Sequence, residues 1–512
     1  MSKLIDQQPK ANLKDDFFCT DNLKTNLKGR SVRGGAATIG AQGVKFLLQT
    51  GTTLALARLL VPEDFGLIGM VTVVINFVQL FKDLGLSTAT IQKEQIDREQ
   101  VNTLFWINLL VSCLITAIVI ASAPLIAWFY KEPRLTAIVC VLGTIFVFGG
   151  LTVQHQALLK RQMRFGSLAR VEVLSVFASV VVAIISAKLG YGYWSLVFMQ
   201  LAHALATAIG VWVACSWRPG LPRKAAGVRS MLIFGGNITG FSFANYFSRN
   251  LDNVLLGQYW GPQQLGLYAM AYKLLLLPIE QINAPITSVA LPALSRLQSD
   301  PKSYKSYYHK AILLITTVGM PLVGFLYASI ELIIAIALGD KWFDAVPIFK
   351  FLMPAAFIGT FNVSFGWVLI SLNRADRLFK LGVATSIINV AIFLVSVRWG
   401  VLGLAAAYGF SRIIIFVPAI IYAYRGTFLR LSDLAATLYR PALASIASMI
   451  LVTFINSLSV GNLNALLRLS ISFVIYSFSY LSIWLLTPNG KSILLEMFSM
   501  LKLLSRKSQN PI

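Results

Sequence analysis

The sequence predicts an all-α integral membrane protein of about fourteen transmembrane helices, in two pseudo-symmetric six-helix lobes plus two C-terminal helices. Three observations predict it. The first is composition: the 512 residues are 56% hydrophobic and 13% charged, with a mean hydropathy of +0.71. A soluble domain carries about 25% charged residues, so lipid is the solvent here. The second is the recurrence, along the whole chain, of apolar runs of ~20 residues, the length that spans a bilayer. The third is an internal repeat. P-E-D-F-G-L-I-G-M at 62–70 aligns with P-Q-Q-L-G-L-Y-A-M at 262–270, pairing Pro62 with Pro262, Gly66 with Gly266, Leu67 with Leu267 and Met70 with Met270. The same offset of 200 residues continues upstream through Gly35 and Gly235, Gly40 and Gly240, Leu56 and Leu256. A repeated helix–turn–helix in a membrane protein points to two related lobes with the ligand site between them.

Residues 1–33 are polar and mixed in charge with no apolar h-region, so they read as a cytoplasmic tail and not as a cleaved signal peptide. The first lobe, 34–217, holds spans near 38–60, 64–86, 101–128, 135–158, 168–188 and 192–214. The second, 218–425, holds spans near 229–251, 264–290, 311–334, 344–371, 379–397 and 401–423. The first, second, seventh and eighth spans are the most polar. Two further spans, 441–458 and 466–486, fill 426–487. In the tail 488–512, Ile493, Leu494, Met497, Leu501 and Leu504 fall at helical spacing among Lys and Arg, as in a helix lying on the membrane surface. Pro278, Pro285 and Pro292 recur every seven residues along the eighth span. Each removes a backbone donor, giving either a hinge or a static bend.

The formal charge of +23 is a topology signal, not the footprint of a nucleic-acid binder. With the N-terminus inside, one set of loops carries Lys160, Arg161, Arg164 and Arg170, then Arg218, Arg223, Lys224 and Arg229. That set continues with Arg296, Lys302, Lys305 and Lys310, then Arg374, Arg377 and Lys380, then Arg425, Arg430 and Arg440. The opposite set shows Glu63, Asp64, Glu132, Asp340 and Asp344. Roughly twenty basic residues on one side against about six on the other is a positive-inside pattern, with both termini cytoplasmic.

Cys19, Cys113, Cys140 and Cys215 have no metal spacing, and His155, His203 and His309 are scattered. The cysteines read as packing residues. No paired acidic motif, nucleophile elbow or phosphate-binding glycine loop stands out, so neither an enzyme, a cofactor nor a metal is expected.

Polarity inside the spans is patterned. Thr38, Gln42, Lys45, Gln49 and Thr52 share one face of the first helix. Ser242, Asn245, Arg249 and Asp252 share a face of the seventh and match Gln42, Lys45, Gln49 and Thr52 in the repeat. A charge at bilayer depth costs at least ~2.5–3.5 kcal/mol, so Lys45 and Arg249 should face water or an anion. Lys45 has no acidic neighbour within one turn, whereas Arg249 and Asp252 can neutralise each other. The eighth helix adds Lys273, Glu280 and Asn283, and the second adds Asn76, Gln79 and Asp83. Arg58 lies near enough to a helix end to snorkel. His203 reads as a packing residue. Arg412, in the twelfth span, cannot shed its charge. With Asp83 and Glu172 near the ends of their spans, the expected cavity is electropositive and suits an anionic head group.

The runs S-T-A-T-I-Q-K-E (87–94), T-L-F-W-I-N (103–108), P-L-I-A-W-F-Y-K-E-P-R-L (124–135), A-L-L-K-R-Q-M-R-F (157–165), G-Y-G-Y-W-S-L-V (190–197) and L-P-A-L-S-R-L (291–297) carry a family likeness. The chain resembles the oligosaccharide flippases of the polysaccharide transport family, within the multidrug/oligosaccharidyl-lipid/polysaccharide transporter superfamily. Within that family it is most similar to the colanic-acid-type lipopolysaccharide exporters. The likeness covers roughly residues 30–430 and fades over the last two helices. It implies alternating access and a polyprenyl-pyrophosphate-linked oligosaccharide as cargo, in the bacterial inner membrane. It also implies membrane lipids, and a polysaccharide polymerase with chain-length machinery, as surroundings and partners. Basic residues of helices 1, 2, 7 and 8 hold the pyrophosphate in related flippases; Lys45, Arg249 and Lys273 are the ones that fit here, with Gln42, Gln49 and Asn245 beside them. Asp252, Glu280 and Asp83 are the carboxylates available for a coupling ion. The alternative is a multidrug cation exporter of the same superfamily, which needs carboxylates deep in a lobe.

Overall fold

The computed structural model describes residues 27–82, 87, 90–91, 96–221, 228–458, 464–488, 490–492 and 494, without the side chains of 27–33, 36, 80–82, 228–249 and 277. The N-terminal tail to residue 26, Asp83, the side chains of Asn245 and Arg249, and most of the C-terminal amphipathic stretch therefore lie outside the described residues.

Every regular element among the described residues is a helix. In order these are α1 (Leu27–Leu59), α2 (Pro62–Lys82), α3 (Arg98–Tyr130), α4 (Arg134–Gly143), α5 (Ile145–Arg161), α6 (Phe165–Lys188) and α7 (Trp194–Ala214). There follow α8 (Val228–Arg296), α9 (Pro301–Ala337), α10 (Ala345–Ser371), α11 (Ala375–Ser396), α12 (Gly400–Tyr424), α13 (Leu431–Leu458) and α14 (Ala465–Leu486). Among the described residues nine helical stretches are long and apolar enough to cross a membrane, or ten if a bent pair within α8 counts as one span. One of the nine, Ala375–Tyr424, holds both α11 and α12. The chain is a multi-pass membrane protein; the expected span 135–158 is divided at Thr144 between α4 and α5, and the end of the expected span 64–86 lies outside the described residues.

Local chemistry sets the helix ends. Pro62 starts α2 at the position where its missing N–H is not needed. Glu63 and Asp64 in that first turn oppose the helix dipole, and the Asp64 carboxylate accepts the Val61 N–H at 3.1 Å. Asp300 caps α9 by accepting the N–H groups of Lys302 (3.1 Å) and Ser303 (3.2 Å), with Pro301 next in the chain. The family-like runs at 124–135, 157–165 and 190–197 turn out to be helix reversals. They place Lys131 (φ 55°), Met163 (φ 53°), Gly190 (φ 83°) and Gly192 (φ 54°) in the left-handed region.

The repeat is visible in the backbone. The first copy breaks at Leu60–Val61, between α1 and α2. The second breaks at Gly261 (φ 79°, ψ −179°), the residue 200 positions on from Val61. Only glycine tolerates that conformation without strain. Beyond it, α8 bends by 41° between Asn250–Leu276 and Pro278–Arg296, where proline removes a backbone donor. The two breaks meet. A Cβ placed on Gly66 would stand 1.7 Å from the Pro262 carbonyl oxygen, so the first copy's glycine is what lets the second copy's turn sit against α2.

By contacts the chain forms two compact units, residues up to 263 and from 264 onward, dividing two residues past the Gly261 break. In the first unit α1 packs on α6, α6 on α7 and α3 on α5, around Val101, Leu104, Phe105, Leu158, Leu159 and Val211. In the second, α9, α10 and α12 close over Tyr304, Tyr308, Ile312, Phe361, Trp367 and Tyr424. The buried tyrosine hydroxyls there are paired, Tyr304 with Ser371 at 2.7 Å and Tyr424 with Tyr308 at 3.0 Å, as burial favours. Helices α13 and α14 join this unit by packing on α9. Their seam runs through Tyr476, Tyr480 and Trp484. Leu110, Leu114 and Ile118 stand more than half exposed along α3, a face that only lipid can cover.

Candidate functional site

In the first unit, Gln42 and Gln49 are exposed on α1 with Lys45 half-buried between them. Thr52, at the end of that stripe, is buried, and its hydroxyl bonds back to the Leu48 carbonyl at 2.6 Å. Lys45 is not the unpaired cation that spacing along its own helix suggests. Its Nζ lies 2.5 Å from Oε1 of Glu172, a residue of α6, which packs on α1. The partner is 127 positions away, so one-turn reasoning could not find it. The pair keeps 27% and 40% side-chain exposure, so it remains accessible. The ion pair stands where the sequence suggests a lone lysine. The expectation of an excess positive charge at this point of the first unit is corrected accordingly.

Asp252, the repeat partner of Thr52, is likewise buried, at 5% exposure, and its carboxylate accepts the Asn253 N–H at 2.8 Å. In the second unit Lys273 and Glu280 are exposed on α8, and the Asn283 amide donates to the Gly359 carbonyl at 3.4 Å. Sequence reasoning missed the aromatic group beside Lys273. Tyr268 and Tyr272 stack along α8 with centroids 6.0 Å apart. The Tyr272 hydroxyl lies 3.4 Å from that of Tyr408 on α12. Arg412, one turn past Tyr408, holds its guanidinium carbon 4.6 Å from that ring's centroid. The i, i+4 spacings of 268/272 and 408/412 were legible in the sequence; the meeting of α8 with α12 was not.

His155, by contrast, is a packing residue: its ring stacks on Trp212 at 4.6 Å within a cluster of Phe105, Trp212 and Trp217. Outside the spans, Arg134 joins Glu132 (2.7 Å) and Glu63 (2.5 Å). That guanidinium lowers the Glu132 carboxyl below its ordinary value. No group of three or more His, Cys, Asp or Glu among the described residues could hold a metal.

The helices are long and apolar enough to cross a membrane and break at matched positions of an internal repeat. The chain belongs to the family described as "Polysaccharide biosynthesis protein", whose profile matches residues 55–347. It is 26% identical over 310 residues to the teichuronic acid biosynthesis protein TuaB of Bacillus subtilis, covering 59% of this chain and 63% of TuaB. The match therefore spans less than two thirds of that relative. It is 25% identical over 367 residues to the lipopolysaccharide biosynthesis protein WzxC of Escherichia coli, covering 70% of this chain and 74% of WzxC. In three dimensions it is similar to the lipid II flippase MurJ in its inward closed conformation. The TM-score is 0.69 over 88% of this chain and 98% of MurJ, at 13% identity, which fixes the fold.

Proposed function

We propose that the protein is an exporter of a polyprenyl-pyrophosphate-linked oligosaccharide, a repeat unit of lipopolysaccharide, O-antigen or exopolysaccharide, across the bacterial inner membrane. One observation carries the reading: a member of a polysaccharide biosynthesis family is built, among its described residues, from membrane-crossing helices in the fold of a lipid flippase. Its part in the synthesis is then transport of the lipid-linked unit and not bond making. Lobe boundaries at 34–217 and 218–425, with 426–487 as an addition, follow from the repeat. The positive-inside pattern puts both termini in the cytoplasm.

The head group enters from the cytoplasmic leaflet while the polyprenyl chain stays in lipid. Lys45, Gln42, Gln49, Arg249, Asn245 and Lys273 are the residues to test as those that take the pyrophosphate and the first sugars. Lys45 reaches the phosphate by exchanging Glu172 for it, a charge-assisted contact either way. An inside-negative potential helps an anion outward by ~2.3 kcal/mol per charge per 100 mV. Asp252, Glu280 and Asp83 are the carboxylates to test for a coupling ion. A multidrug cation exporter would need a free carboxylate at depth; Glu172 is paired with Lys45, and Asp252 and Glu280 are the carboxylates whose replacement tests that alternative.

Deleting the gene in its host should remove the surface polysaccharide and leave the lipid-linked unit in the cytoplasmic leaflet, both restored by the wild-type chain. Normal polysaccharide in the deletion strain would overturn the proposal.

A further inference from the structure

Arg412 has no task in the reading above, yet its position demands one. It occupies the centre of α12 (Gly400–Tyr424), about 18 Å of helix from either end at 1.5 Å per residue. That is farther than its side chain extends, so it cannot snorkel to the head groups. Its polar contacts with described residues are both to Tyr408. Nη2 donates to the hydroxyl at 3.1 Å, and the guanidinium lies over the ring. Among the described residues no carboxylate pairs with it. One of five N–H donors is used, while the side chain is only half-buried.

The surroundings hold this cation in place from two other helices. Tyr408 stacks on Phe393 of α11, with centroids 5.7 Å apart and planes 23° from parallel, and meets the Tyr272 hydroxyl of α8 on another side. A tight 3-10 turn at Val397–Trp399 joins α11 to α12, so the two run antiparallel. Asn389 lies one turn before Phe393 on α11. Asn389 is 8% exposed and its amide oxygen has no hydrogen-bond partner. Buried amides rarely stay unpaired, so one turn from the Phe393–Tyr408 contact α11 carries an acceptor that a sugar hydroxyl could satisfy.

We propose that Arg412, Tyr408 and Tyr272 form a subsite for an acidic saccharide, in which the guanidinium takes an oxyanion of the cargo and the tyrosines take the sugar beside it. A guanidinium fork matches a carboxylate or phosphate bidentately. The negative face of a tyrosine ring attracts the weakly positive C–H edge of a pyranose, and the two hydroxyls both donate and accept toward its ring substituents. The inference rests on the saccharide reading above and adds the class of sugar. The oxyanion belongs either to a uronic acid or to the phosphate of the lipid linkage, and the two are separable.

The test uses the full-length protein in nanodiscs with three soluble probes: a glucuronic-acid disaccharide, its neutral glucose counterpart, and inorganic pyrophosphate. Calorimetry should show the acidic disaccharide binding at least about tenfold tighter than the neutral one. Arg412→Gln should erase that preference and Arg412→Lys should keep part of it. Tyr272→Phe and Tyr408→Phe, which leave every ring in place, should weaken binding several-fold. Arg412-dependent binding of pyrophosphate but not of the acidic disaccharide assigns the oxyanion to the phosphate. Equal affinity for the acidic and neutral sugars, with neither anion responding to Arg412→Gln or to the paired Tyr→Phe variant, overturns the subsite. The paired variant decides the matter if Arg412→Gln does not fold. Binding is read without transport, so a failure to export counts only against the proposed function.

Discussion

At the scale of single residues, Lys45 carries the lesson. Its depth in α1 and the polarity of its neighbours were legible, because residues 42, 45 and 49 share a helix face. Its partner was not, since Glu172 arrives from α6 across the packed α1–α6 contact. The two roles open to Lys45 give different double mutants. If it holds the pyrophosphate, Lys45→Ala and Lys45→Ala/Glu172→Ala both lose export, at a cost to head-group binding of about ten- to a hundredfold, whereas Glu172→Ala retains it. Recovery of export in the double mutant, in cells making normal amounts of protein, would show that the pair only neutralises itself. A smaller effect belongs to Glu132. Its carboxyl is lowered chiefly by the hydrogen bond from Arg134, so the pair stabilises the fold above the ordinary carboxylate pKa and loses that contribution as pH falls through the lowered value. Arg134 is 40% exposed, so solvent screens the pair, and Glu132→Gln should cost only about 0.2–1 kcal/mol at neutral pH. Thermal unfolding of the two proteins should converge in acid; a gap that widens on acidification would contradict the pairing.

At the scale of elements, apolar runs locate spans because lipid demands internally satisfied backbone of a fixed length. The break at Gly261 was implied by its alignment with the α1–α2 turn, and the 41° bend falls at Pro278, the first of the three prolines that recur every seven residues in α8. What no single run could show is which turns touch. The Gly66–Pro262 approach is the clearest case, because a Cβ there would collide with backbone, which cannot swing aside as a side chain can. Gly66→Ala should therefore force α2 from the second break and cost about 1–3 kcal/mol, the usual range for overpacking, seen as a lower unfolding temperature in detergent. Gly35→Ala, where nothing lies within 4 Å, is the control and should leave that temperature unchanged or slightly higher, since alanine favours helix over glycine.

At the scale of the whole molecule, composition, loop charge and the repeat made the class of protein legible, and the family match over residues 55–347 agrees with it. The side-chain pairings were less legible, because each joins helices far apart in sequence: Glu172 with Lys45 in the first unit, and Tyr272 with Tyr408 in the second. The topology has its own check. Reporter fusions after Arg164, Arg223, Lys305 and Arg377 should report cytoplasm, and fusions at Glu132 and Asp340 the opposite side; a cytoplasmic signal at Asp340 would invert the second lobe or remove a span. The central claim is that this chain moves a lipid-linked oligosaccharide between leaflets. The direct measurement is transfer of a fluorescent polyprenyl-pyrophosphate oligosaccharide across liposomes containing the purified protein, scored by access of a membrane-impermeant quencher. Transfer should require the protein and fall by at least about tenfold in Lys45→Ala and Arg249→Ala. Transfer no faster than in protein-free liposomes, alongside protein-dependent export of a cationic dye, would contradict it.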